Sequence, residues 1–381
     1  MSKISCLLFL LNVFSCYSQQ GTILTKVADR FRRHHNRYLD SFSDPRCDCQ
    51  IPTNQHESDA IQPLFKKQPI WQNISFNLQF IYPAANENNL TSPTIRASIV
   101  QLVCGNDGNN LAFNSLPLTF ISSAIVRCAL LDNGTCTNRL FTPSNHYLLD
   151  FKSFSEITCT DKQVPEVHIP ILPLPYYSCK LINITCLEIG FTVPWHISPL
   201  GFLPVLKSIA FDGAKLQPIV AHIFMPSSIL HGQRDDGNHT FRRGSVFSST
   251  RIDLKEVYQR DYQRKRLFDI LGNQKLVDEY VPETGDSYLT EGQLISEQDL
   301  FYKVQKPSAF FYENTVPIWR SIATGNWELS GKFLRNLALD TGIGFLYYSG
   351  VIDTLELLDQ EGNKKPIFLA QKQDGTYTNC R

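Results

Sequence analysis

The placing of the cysteines constrains this chain more than any other feature of it. Cys6 and Cys16 lie in an apolar N-terminal stretch. Cys47, Cys49, Cys104, Cys128, Cys136, Cys159, Cys179 and Cys186 crowd the first half, and Cys380 stands almost at the end. Zinc is the competing use of such a set. No pair has the two-residue spacing of a zinc knuckle, and Cys47-Asp48-Cys49 is too tight for one. Disulfides are the remaining chemistry, and they require an oxidising compartment.

The start of the chain supplies that compartment. Lys3 precedes an apolar run from Ile4 to Phe14, and small residues follow at Cys16 and Ser18. This is the layout of a signal peptide spanning residues 1–18, with cleavage before Gln19. The run is too short for a membrane anchor, which needs about 20 apolar residues. A secreted, soluble chain without an anchor is therefore expected. Cys104, Cys128, Cys136, Cys159, Cys179 and Cys186 should then pair largely among themselves, with the connectivity open. Cys380 is left unpaired or bonded to another chain. The sequons at Asn73, Asn89, Asn133, Asn183 and Asn238 fit the same route and are candidate glycosylation sites.

Length allows one large domain or two moderate ones. With 36 basic and 36 acidic residues the formal charge is zero. That balance withholds the basic surplus which usually accompanies nucleic-acid binding, although a local basic groove stays compatible with it. Residues 19–68 hold the basic "RFRRHHNRYLDSF" and a polar loop, and are read as a leader and linker. Residues 69–186 show short apolar runs broken by Asn, Gly and Pro, which predicts a β-rich region carrying the cysteines.

Beyond residue 187 the order is α+β. "PIVAHIF" predicts a strand, and "DLKEVYQRDYQRKRLFDILGN" a helix capped by Asp253 and closed at Gly272. The polar "QKLVDEYVPETGDSYLTEGQ" is expected as a loop, "SAFFYEN" as a strand, and Asn326 to Leu339 as a helix with Trp327, Leu334, Leu337 and Ala338 inward. The tail predicts further strands, with "QEGNK" as a hairpin turn.

The most specific pattern runs from Gly292 to Arg335. Gly292, Leu294, Asp299, Asn314, Pro317, Trp319, Gly325, Asn326, Trp327 and Arg335 stand in the order and spacing of the DNA/RNA non-specific endonuclease family, and the second half resembles its secreted arthropod branch. The resemblance implies a ββα-metal nuclease-like core over residues 187–381, preceded by the β-rich, disulfide-bearing region. Its chemistry needs a histidine base, a Mg²⁺ ion held by an asparagine and waters, and fixed cations facing the phosphate.

Residue by residue, the chain departs from that set. Glu291 stands at the family's arginine and Gln293 at its histidine; Ile318, Ala323 and Gly331 replace a glutamine, the metal-binding asparagine and a glutamate. Gln293 cannot accept a proton at neutral pH. Ala323 has no ligand atom. Glu291 would repel a phosphate at 4 Å by roughly 1–4 kcal/mol. Asn326 and Asp299 are the possible substitute metal ligands, although an asparagine at a helix start is more commonly a cap. Arg242, Arg243 and Arg335 are phosphate-binding candidates. The last histidine in the chain is His239, so only His222, His231 or His239 could supply an imidazole from the preceding strand and loop.

The expectation is thus a secreted pseudonuclease, catalytically silent and without its Mg²⁺, that binds nucleic acid or a protein partner. Two alternatives stand beside it. One is an active Mg²⁺-dependent endonuclease with a non-standard site; the other is an interaction protein that does not bind nucleic acid. The sequence leaves the oligomeric state open.

Overall fold

A computed structural model of the chain describes residues 99–130, 133–170, 184–193, 201–213, 215–232, 239–247, 253–352 and 354–371, with shorter pieces at Cys49–Pro52, Leu64–Lys66, Phe80, Tyr82, Thr94–Ala97 and Tyr377–Thr378. The expected signal peptide, most of the expected leader, Cys179, Cys380 and the sequons at Asn73, Asn89, Asn183 and Asn238 lie outside the described residues.

The short apolar runs of the first half form strands, as their spacing predicts. Leu64–Lys66, Ile99–Val103, Ser123–Leu130, Cys136–Phe141 and Tyr147–Phe151 make an antiparallel five-stranded sheet in that order. Val100, Val126 and Leu140 stand opposite one another across three of these strands, and all are fully buried. Alternation along each strand places them on one face, where they pack as a core. A Cys104–Cys159 disulfide ties the end of Ile99–Val103 to the strand Ile157–Cys159. Cys128, Cys136 and Cys186 are disulfide-bonded as well.

The second sheet is antiparallel throughout, in the order Glu166–His168, Ile184–Thr192, Phe202–Asp212, Gln217–Met225, Phe345–Gly350. Its strand Ile184–Thr192 crosses residue 186, so this sheet draws two strands from the cysteine-rich stretch. Leu187, Ile189, Phe191, Leu206, Ile209, Phe211 and Ala221 are buried in it. The fold is mixed α+β, with a β-rich N-terminal region.

Helical segments follow. Asp253 caps Leu254–Val257 by accepting from the Lys255 and Glu256 amides, as its spacing predicts. The expected single helix is broken, however. The chain leaves helical geometry at Tyr258 and Gln259 and resumes at Arg260–Leu271, ending at a left-handed Gly272. The break lets Tyr258 stack on Tyr312 at 6.2 Å with the rings 7° apart. The buried Gln263 bridges the gap by binding the Val257 carbonyl and both backbone groups of Leu289.

Two further expectations are corrected. The polar stretch after Gly272 is partly helical, Gln274–Tyr280, because Asn273 caps it through the Lys275 and Leu276 amides. "SAFFYEN" is not a strand but the end of one 3-10 turn, Lys303–Ala309, and the whole of another, Tyr312–Asn314; the strand starts at Thr315. The tail hairpin Glu356–Leu358 with Lys364–Pro366 forms as expected, turning where the Asp359 carboxylate accepts the Glu361 and Asn363 amides. Among the described residues no helix is long and apolar enough to cross a membrane.

Candidate functional site

The stretch that carries the family spacing folds as strand, loop, strand, helix. Leu289–Gln293 pairs antiparallel with Thr315–Trp319, setting Glu291 opposite Pro317 and Gln293 opposite Thr315. A Cβ at Gly292 would lie 2.5 Å from Cγ2 of Ile318 and 2.9 Å from the Val316 carbonyl oxygen, so only glycine allows this cross-strand approach. A short helical turn, Arg320–Ile322, leads into Ala323–Trp327, where Gly325 leaves helical geometry (φ −112°, ψ −107°) and kinks the path; the helix Glu328–Thr341 then runs to a left-handed Gly342.

Regular helix from Glu328 to Thr341, beginning just past the kink, agrees with the expected Asn326 to Leu339 to within two residues at each end. Asn326 follows that kink directly, with the short turn Arg320–Ile322 on its N-terminal side. Its side chain is exposed and its carbonyl oxygen accepts from the Ser330 hydroxyl. Of the residues expected inward, Ala338 is buried, while Trp327, Leu334 and Leu337 are half-buried.

Buried polar side chains fasten the connecting loop. The Asn314 amide donates to the carbonyls of Ile295 (2.8 Å) and Ala309 (3.0 Å), and its oxygen accepts the Ile295 amide at 3.1 Å. Three backbone groups that find no partner in a strand or helix are thereby satisfied. This use of Asn314 is also why the strand starts only at Thr315. Gln293 joins the same knot, its Nε2 donating to the Ala309 carbonyl at 3.2 Å. Gln293, which the resemblance sets at a histidine position, therefore serves to hold the loop.

Asp299 and Arg335 form the second fastening. Arg335 Nη1 meets Asp299 Oδ1 at 2.6 Å, and Nη2 donates to Gln298 Oε1 at 2.8 Å. The two side chains are only 7% and 3% exposed, so the helix is pinned to the loop by an internal ion pair. Burial pushes the Asp299 carboxyl up, while the guanidinium of Arg335 and the Ser296 amide pull the other way. Tyr347, on the neighbouring sheet strand, is pushed up to about 12 by burial and by the Asp299 charge. A Cβ at Gly331 would lie 3.1 Å from Arg335 Nη1, so a larger side chain there would crowd the guanidinium.

The phosphate-binding candidates divide accordingly. Arg335 is internal. Arg242 lies 4.3 Å above the Phe311 ring and donates to the Pro307 carbonyl at 3.2 Å; burial lowers its pKa. Arg243 is exposed and shares with Glu291 and Asp253 the neighbourhood of Tyr312, whose hydroxyl is pushed up to about 12, chiefly by burial. The three histidines are scattered. His222 is buried beside Tyr348 at 4.9 Å, and His231 ends a turn packed on the helix Glu328–Thr341. His239 rests on Phe310 at 5.0 Å, one residue from the carbonyl that holds Gln293.

These donors do not fit a Mg²⁺ ion. Ala323 offers no ligand atom, and the Asp299 oxygens already accept from Arg335 and from the Ser296 amide. Among the described residues no three His, Cys, Asp or Glu side chains are grouped to hold a metal.

Sequence reasoning missed Glu313. It is wholly buried, and one carboxyl oxygen accepts the Gly244 amide at 3.0 Å. Desolvation pushes it up to about 7, against backbone hydrogen bonds from the Gly244–Phe247 stretch. An acid inside the apolar run "AFFYENTV" was the available signal. No protein-family description matches this chain, and no curated protein matches it either.

Proposed function

We propose that this chain is a catalytically silent pseudonuclease of the non-specific endonuclease type that works by binding a protein partner. The observation that carries this reading is the internal use of the groups a nuclease would present to phosphate. Arg335 is held by Asp299 at 2.6 Å, Arg242 by Phe311 and Pro307, and Gln293 by the Ala309 carbonyl. Zero net charge supports protein over nucleic acid as the ligand. So does the surface. Phe224 and Leu346 are register partners, Tyr348 lies on the same face two residues along, and the three are 44, 54 and 59% exposed. Apolar groups clustered in this way favour a protein contact.

The test is a nuclease and binding assay of the full chain with Mg²⁺. Neither DNA nor RNA should be cleaved, because loss of the base alone removes about 10²–10⁴-fold. Gln293→His should stay silent, since Ala323 leaves the phosphate charge unopposed. Retention on DNA or RNA should be negligible at physiological salt. Cleavage abolished by EDTA and by His239→Ala would establish instead an enzyme that uses His239. Tight binding that weakens linearly with log salt would restore nucleic acid as the ligand.

A further inference from the structure

We propose that Asn133 carries an N-linked glycan. Asn133, Gly134 and Thr135 lie in the connection between strands Ser123–Leu130 and Cys136–Phe141, and all three are exposed. Within this turn the Asn133 carboxamide oxygen accepts the Thr135 amide at 3.0 Å and the Thr135 hydroxyl at 2.6 Å. Gly134 supplies the positive φ of 79° that the turn requires, and a Cβ there would meet nothing within 4 Å.

The geometry bears on the chemistry in two ways. A carboxamide nitrogen is a poor nucleophile because its lone pair is delocalised toward oxygen. Two donors on that oxygen stabilise negative charge there and make the Nδ2–H easier to lose, while Nδ2 itself remains outside the turn's hydrogen bonds. The modification joins Nδ2 to C1 of a sugar supplied as a lipid-linked oligosaccharide pyrophosphate. The C1–O bond to the pyrophosphate breaks, that oxygen keeps the electron pair, and the Nδ2 proton leaves to a base of the transferring enzyme. Because the turn involves only three consecutive residues, the unfolded chain can adopt it as well. In the folded chain the glycan would project from an exposed hairpin connection.

The inference rests on the signal peptide and is independent of the nuclease-like reading. The full chain, expressed with its own leader in eukaryotic cells, would be collected from the medium and digested with a peptide N-glycanase. Peptide mass spectrometry should find Asn133 converted to Asp. Asn133→Gln and Thr135→Ala should each lose one glycan on a gel, while Thr135→Ser, which keeps the hydroxyl, should retain it. Should Asn133→Gln fail to reach the medium, the Thr135 pair decides the matter. An unmodified Asn133 in the secreted wild-type chain, or a chain that never enters the secretory route, overturns the proposal.

Discussion

Two regions of this molecule solve the same problem by different means. In the N-terminal region, residues far apart in the chain are joined covalently, Cys104 to Cys159 across 55 positions. In the hairpin and helix from Leu289 to Thr341, distant residues are joined by buried polar groups: Asn314 to Ile295 and Ala309, and Arg335 to Asp299 across 36 positions. A disulfide needs only an oxidising compartment and acts largely on the unfolded chain. A buried ion pair acts on the folded state alone and fails if either partner is removed. The polar fastening also consumes side chains that would otherwise be free for ligands. In this hairpin and helix those side chains serve as framework.

The largest effects should come from the polar side. Arg335→Met leaves Asp299 buried without its partner and should lower stability by about 3–5 kcal/mol in urea denaturation. Arg335→Met combined with Asp299→Leu should recover most of that loss, because the pair is removed together. A surface arginine awaiting phosphate would show less than about 1 kcal/mol in the same experiment, which would break the comparison. Next comes the covalent tie. Replacing Cys104 and Cys159 by Ala reopens a loop whose closure is worth about 4 kcal/mol on the chain-entropy estimate. In a two-region comparison this loss should appear as faster hydrogen exchange in the N-terminal sheet before the hairpin is affected.

The third effect depends on pH. Glu313 has its pKa raised by burial to about 7 in the folded chain. The folded state therefore binds more protons than the unfolded state between the ordinary glutamate value of 4.5 and about 7. Its contribution is fully present below the lower value and is lost as pH rises through the upper one. The wild-type chain should lose on the order of 3 kcal/mol across that window from this group. Glu313→Gln should flatten the slope and gain relative to wild type above neutrality. A slope that is unchanged by the substitution would show that the carboxyl is ionised throughout.

Much of the architecture is legible along the chain. Val100 and Val126 sit in the short apolar runs "TIRASIVQLVC" and "SSAIVRCALL", whose turn-bounded length predicts strands, whereas Leu140 stands in the more polar "CTNRLF". Asp253 and Gly272 marked helix ends through local hydrogen bonding and left-handed geometry. The spacing from Gly292 to Arg335 anticipated the strand, loop, strand and helix in order.

The sequence by itself determined those elements because each depends on residues a few positions apart. The tertiary structure alone decided the rest. Tyr258 interrupts its helix to stack on Tyr312, 54 residues away by numbering. Asn314 replaces the expected strand before Thr315 with bonds to a loop 19 residues upstream. Whether Arg335 faces solvent or Asp299 depends on how the helix lies over the loop, which no local pattern encodes. A charged side chain looks the same in a sequence whether it is solvated or buried; only the desolvation of its surroundings and the partner brought to it separate the two.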